Sequence, residues 1–281
     1  MMINRKLEGW MGRTHALLSI NILLLCLILR LPIVTEMLSS VAFFIFTFVI
    51  FVGATLLVDL DADASTSGYV LGPIGLACTA FMKSTSALTW NVYHLKNDYK
   101  PENQHRFLWH SPVFLAICFS LLYYTMADKE TSLIKFIKEE KSHILQNYVS
   151  LVIFLIIVFM AVLVGSSMIV KLLNRFISVP TFISDILPLA CVFYACTLTL
   201  SQLKLACLFF AFGFILHPLE DYFADHGIPL LFPIPIIWQK RAWKKFRFPF
   251  AITTGSIANT FVDIIATVLV FVQAIFLIIR R

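Results

Sequence analysis

The sequence predicts an all-α protein, a polytopic transmembrane helical bundle of about seven spans with one re-entrant or interfacial segment. Two observations predict it. Hydrophobic residues make up 59% of the chain and charged ones 14%, with a mean hydropathy of +0.87, which leaves too little polar surface to coat a soluble domain. The apolar residues also come in long runs, and a hydrocarbon core of about 30 Å needs roughly 20 helical residues. No polar stretch is long enough to bury a core of its own, so residues 1–281 read as a single integral membrane domain.

Basic residues precede the first run, 16–34, as in a signal peptide. No small-residue cleavage site follows, so the run reads as a retained span, with Thr14 suited to cap it and His15 at its mouth. The second span, 37–58, leads into Leu57-Val-Asp-Leu-Asp-Ala-Asp63. In an extended segment Asp59, Asp61 and Asp63 would share a face, and such acids repel unless a cation or proton intervenes. Residues 69–82 hold Gly72, Pro73 and Gly75 and are too short to cross comfortably; they read as the re-entrant or interfacial segment.

The third span, 112–126, is entered through His105-Arg-Phe-Leu-Trp-His-Ser-Pro112. Ser111 suits a helix cap and Pro112 the first helical position. His110 then stands beside a helix N-terminus, which favours anions, and Arg106 can grip a phosphate or carboxylate with two hydrogen bonds. Residues 128–147 read as a surface amphipathic helix, followed by spans at 148–170 and 182–200. The sixth, 203–216, delivers His217 and Asp221, four residues apart and so on one helical face, although Pro218 crowds the turn between them. Glu220 reads as facing elsewhere. Asp225 and His226 precede Gly227 and suit a turn. Residues 229–250 combine prolines, aromatics and five basic side chains, the composition of a segment lying against anionic lipid. The last span, 257–279, carries Asp263, an intramembrane acid and hence a functional candidate, with Asn259 one turn above it.

Tracing the crossings puts His15, the Asp59–Asp63 acids, His105, His110, His217, Asp221, Asp225 and His226 at one membrane face. Fourteen of the 22 lysines and arginines fall on that side, so the positive-inside bias makes it cytoplasmic. The net charge of +6 bears first on topology and lipid head groups and is weak evidence for nucleic acid. The six cysteines all lie within apolar runs without a CxxC pair, and read as small buried hydrophobes. Histidines and aspartates gathered at a cleft are what a one- or two-metal hydrolytic site requires. A His and an Asp converging from one helix suit zinc or manganese.

GRTHALLS, VDLDAD, HRFLWHS, and HxxxD followed by GIPLLFP, in that order, resemble the predicted membrane-bound metal-dependent hydrolases. This inner-membrane family includes the DNA-damage-inducible member of enteric bacteria and is thought distantly similar to zinc phospholipase C and P1-type nucleases. The resemblance covers His15 to Pro233. It implies His15, Asp59, Asp61, His105, His110, His217 and Asp221 as the polar set, with metal ligation the role of most. The chain departs from the family pattern at Ala62, Phe107, Trp109 and Ala224, and Asp63 or His226 are candidates to compensate.

The expectation is a membrane-embedded hydrolase using one or two divalent ions, zinc first and manganese second. Asp61 would orient the attacking water, and Arg106 with the helix start at Ser111 would hold the anion of a phosphodiester or phospholipid-like substrate. Ser111, Asp63, Asp225, His226 and Asp263 would support the site. Membrane lipids are the expected partners. Two other classes stay open: a proton- or cation-coupled transporter or channel, and a catalytically degenerate membrane scaffold.

Overall fold

A computed structural model describes residues 2–62, 65–93, 108–126, 145–180, 182–223, 228–230 and 256–279. Among them every regular element is a helix: α1 (Met2–Ile28), α2 (Val41–Leu57), α3 (Thr66–Leu71), α4 (Pro73–Tyr93), α5 (Pro112–Thr125), α6 (Leu145–Leu173), α7 (Phe182–Thr197), α8 (Leu200–Asp221) and α9 (Ile257–Ile279). Short helical turns at Pro32–Thr35 and Glu36–Ser39 lie between α1 and α2, and those at Val58–Asp61 and Leu108–His110 extend α2 and precede α5. The stretches Val41–Asp61, Leu151–Leu173, Leu200–Asp221 and Ile257–Ile279 are long and apolar enough to cross a bilayer. Gly12–Ile28, Pro112–Thr125 and Asp185–Thr197 are shorter apolar helices. Together these segments coincide with the runs that hydropathy marks out, and the fold is an all-α membrane bundle.

The core is built around α2, which packs most extensively on α6 and α8. Phe43, Phe46, Phe51, Phe154, Phe209 and Phe210 fill it. Large side chains alone would hold the helices apart; glycine lets them close. A methyl group at Gly53 would overlap the backbone carbonyl of Ala161, and one at Gly165 would overlap that of Val49, so α2 and α6 touch backbone to backbone. Gly213 brings α8 equally close to Phe51 of α2. Overpacking usually costs about 1–3 kcal/mol. Here the obstacle is main chain that cannot swing aside, so Gly53→Leu should lie at or above the top of that range. Thermal unfolding in detergent checks this; an unchanged midpoint would mean that α2 and α6 separate freely.

α9 joins the bundle chiefly through α1. Its buried residues, Asn259, Asp263 and Ala266, recur at helical spacing on the face turned to α1, while Ile264, Val268 and Ile275 point outward. In a bilayer those outward positions meet acyl chains, which is why the helix is apolar almost all round.

Three expectations need correction. Thr14 does not cap the first helix, because α1 already runs through it from Met2. Residues 69–82 are not a short segment by themselves but parts of two helices that together run from Thr66 to Tyr93. Gly72, with φ 54°, separates α3 from the 21-residue α4, and Pro73 occupies the first position of α4, where its missing N–H costs nothing. Asp59 and Asp61 do not sit on an extended segment but on the 3₁₀ turn Val58–Asp61.

Candidate metal centre

Four pieces of chain deliver polar side chains to one place. α8 starts from a capping box, Thr199 and Gln202 bonding each other's backbone N–H, and continues through Pro218 to Asp221. Pro218 removes one donor from the helical ladder, yet the Tyr222 N–H still reaches the Pro218 carbonyl at 3.1 Å. The i, i+4 register of His217 and Asp221 therefore survives. α2 ends in the 3₁₀ turn, whose three residues per turn send Asp59 and Asp61 to different sides. The Ser67 hydroxyl donates to the Leu56 carbonyl at 2.6 Å and ties α3 to the end of α2.

His110 ends its own 3₁₀ turn immediately before α5, whose first turn is capped by Ser111 accepting from the Phe114 N–H at 3.4 Å. Its neighbour Trp109 anchors that turn. The indole N–H donates to Thr85 Oγ1 at 3.0 Å, and the ring packs against Phe81 and Phe114.

The donor atoms cluster tightly. His217 Nε2 lies 3.3 Å from Asp59 Oδ1 and 3.5 Å from Asp221 Oδ2. His110 Nε2 lies 3.3 Å from the same Asp221 oxygen and 3.8 Å from Asp59 Oδ1. Four ligands arranged tetrahedrally at ~2.0–2.1 Å from a zinc ion would stand about 3.3–3.4 Å apart, so the spacing matches a shared coordination sphere. Both ring nitrogens of His217 are buried without a hydrogen-bond partner, although carboxylates crowd one of them. His110, His217, Asp61 and Asp221 are fully buried, whereas Asp59 keeps 14% of its side chain exposed. These buried histidines and aspartates could hold a metal ion.

Beyond this sphere, carboxylates fix the rings. Asp61 Oδ2 sits 3.3 Å from His110 Nδ1, on the far side of the ring from the cluster. Glu220 Oε2 lies 2.7 Å from His15 Nδ1 and its other oxygen accepts from Ser19 at 2.8 Å. An ionised carboxylate only accepts, so when each ring is neutral, as metal ligation requires, Nδ1 carries the proton and Nε2 presents its lone pair inward. His15 Nε2 then faces Asp221 Oδ1 at 3.4 Å, and its ring stacks on His217 at 3.9 Å. Asp221 thus turns one oxygen to His110 and His217 and the other to His15. His15, His217 and Asp221 form one possible donor group and Asp59, His110 and His217 another, each with donor atoms within 4.8 Å of one another. Burial disfavours the charged form of His110, but Asp61 foremost, then Asp221 and Asp59, outweigh it and hold its pKa well above the ordinary histidine value.

The structure therefore brings together His15, Asp59, Asp61, His110, His217 and Asp221. His105, Arg106, Asp63, Asp225 and His226 lie outside the described residues. Asp263 stands apart from the cluster, bonded by Arg13 and by the Thr14 hydroxyl. Glu220 is the residue that sequence reasoning misplaces. Position i+3 lies beside i and i+4 on a helix, so its spacing from His217 already put it on the site's face.

Residues 11–280 match the family described as YdjM inner membrane protein. No curated protein and no solved structure matches the chain. With a match over nearly its whole length and the apolar helices described above, the chain belongs to the YdjM inner membrane protein family and is an integral protein of the inner membrane.

Proposed function

We propose that the protein is a membrane-embedded, metal-dependent hydrolase acting at the cytoplasmic head-group level on a phosphodiester or phospholipid-like substrate. The observation that carries this reading is the set of four donors, Asp59 Oδ1, His110 Nε2, His217 Nε2 and Asp221 Oδ2, whose neighbouring separations are 3.3–3.8 Å. Mixed imidazole and carboxylate donors at this spacing favour zinc, with manganese the second choice. The additional pair of His15 and the second Asp221 oxygen supports a second position beside the first.

A bound ion supplies Lewis acidity, which lowers the pKa of water from 15.7 to about 7 in favourable zinc sites. The chain's own residues do the rest. Asp61 and Glu220 hold the His110 and His15 rings in the tautomer that faces inward. Asp59, whose side chain is partly exposed, is the member of the donor set that water can reach. Arg106 and the capped start of α5 are the proposed holders of the anionic group. Asp61, the expected water-orienting base, is fully buried against His110, a position better suited to fixing that ring.

A transport reading would want acids spread along a crossing path. Among the described residues the buried acids Asp61, Glu220 and Asp221 gather at one cluster, and the fourth, Asp263, is already neutralised by Arg13, so hydrolysis is favoured.

Cleavage of a chromogenic phosphodiester and of a short-chain phospholipid by detergent-purified protein tests the proposal. Activity should vanish with a chelator, return with Zn or Mn, and be missing in His217→Ala. Cleavage indifferent to both, or no chelator-sensitive cleavage at all, contradicts it. Because histidine ligates in its neutral form, metal binding should release protons, and apparent affinity should weaken as the pH falls. Affinity that is flat across the histidine range would count against imidazole ligands.

A further inference from the structure

α1 carries a second polar group, turned to α9 rather than α8. Arg13 forms an ion pair with Asp263, and Thr14 Oγ1 donates to the other oxygen of that carboxylate at 2.7 Å. One turn nearer the start of α9, Asn259 is 8% exposed, and its Nδ2 donor has no hydrogen-bond partner among the described residues. Asn259 and Asp263 share the buried face that packs on α1, so the amide lies over the ion pair. A buried amide donor is costly to leave unmatched, which suggests an acceptor beyond those that the described residues provide.

A second cation approaches from the turn after α6. Phe176 packs edge-on against Phe271 of α9 with ring centroids 5.0 Å apart, which brings this turn to the same helix. Its neighbour Arg175 is exposed and, among the described residues, has no ion-pair partner. Partial burial and then the charge of Arg13 lower the Arg175 pKa, with Asp263 opposing them, so the three charges feel one another. Asp263 is already matched by Arg13 and Thr14. Among the described residues, two guanidiniums share the neighbourhood of one carboxylate.

We propose that Arg13, Arg175 and Asn259 form a subsite for the phosphate group of an anionic membrane lipid. Guanidinium forks and an amide donor are matched to phosphate oxygens. Arg13 is two residues from His15, about 3 Å along the helix axis, so the phosphate would sit at nearly the depth of the metal centre. Free phosphate offers the same oxygens, but the outward face of α9 beside the subsite is apolar at Phe261, Ile264 and Val268. Acyl chains can lie along that face, and this selects the lipid. The inference rests on the proposed hydrolase reading for one claim only, that the phosphate held here belongs to the substrate.

The test uses the full chain in phosphatidylcholine nanodiscs, titrated with dioctanoyl phosphatidic acid and, separately, with inorganic phosphate. Metal content and phosphodiester cleavage are measured on the same samples. Saturable binding of one phosphatidic acid is expected, weakened roughly tenfold or more in Arg175→Gln and in Asn259→Leu with metal content unchanged. Undiminished affinity in both variants overturns the subsite. Inorganic phosphate binding as tightly as the lipid overturns the lipid assignment. Arg175-dependent binding by a wild-type protein without metal or cleavage would sink the hydrolase reading and leave the subsite standing. Cleavage unaffected by either variant would sever the subsite from the substrate.

Discussion

Asp221→Asn should abolish stoichiometric metal binding while leaving the helical fold in place. Asp221 is the hub of the cluster, with one oxygen near both His110 and His217 and the other facing His15. Asparagine keeps the volume and removes the charge that balances a cation. The loss should exceed the roughly 10–100-fold typical of a residue that only orients a ligand. Stability separates this from a folding defect. A ligand that binds only the folded state adds about 2.7 kcal/mol when present at 100 times its Kd. Wild-type protein should therefore melt higher with metal than after chelation, whereas the variant should melt like chelated wild type under both conditions. A variant that still gains stability from the ion would show that Asp221 is not among its ligands.

Glu220→Gln should act differently. The carboxylate touches His15 and Ser19, and its partner Nδ1 is the nitrogen turned away from Asp221. A glutamine can present either its oxygen or its amide to that nitrogen, so the tautomer of His15 is no longer dictated. Metal affinity or turnover should fall by about 10–100-fold, and saturating metal should restore occupancy. Ser19→Ala, which removes one of the two contacts holding Glu220, should follow in the same direction with a smaller effect. Titration with a metal-sensitive dye, alongside turnover, checks both. If Glu220→Gln matches wild type, the His15–Glu220 contact is packing and nothing more.

Much of this was legible in the sequence because two independent signals agree in a membrane protein. Apolar runs mark the helices, and a histidine or aspartate where a run stops stands out, as His217 and Asp221 do at the end of α8. The crossing order then says which ends meet, and His15, Asp59, His110 and Asp221 meet. What stayed hidden depended on local backbone geometry or on partners far away in the chain. Alternation suggested that Asp59 and Asp61 share a face, but the 3₁₀ turn divides them between the Nε2 and Nδ1 sides of His110. Glu220 has no counterpart near it in sequence; its role needs His15, 205 residues away. Trp109 proves to hold the His110 turn through Thr85, which no spacing rule anticipates. The close approach of α2 to α6 was equally invisible, since glycines in an apolar helix announce a contact without naming its partner.

The most direct measurement is metal analysis of the purified protein combined with X-ray absorption at the metal edge. The account predicts one or two divalent ions per chain, bound by nitrogen and oxygen at ~2.0–2.1 Å with imidazole scattering, if the metal is zinc. Protein that is folded yet metal-free after purification and reconstitution, or a sphere dominated by cysteine sulfur, would contradict it.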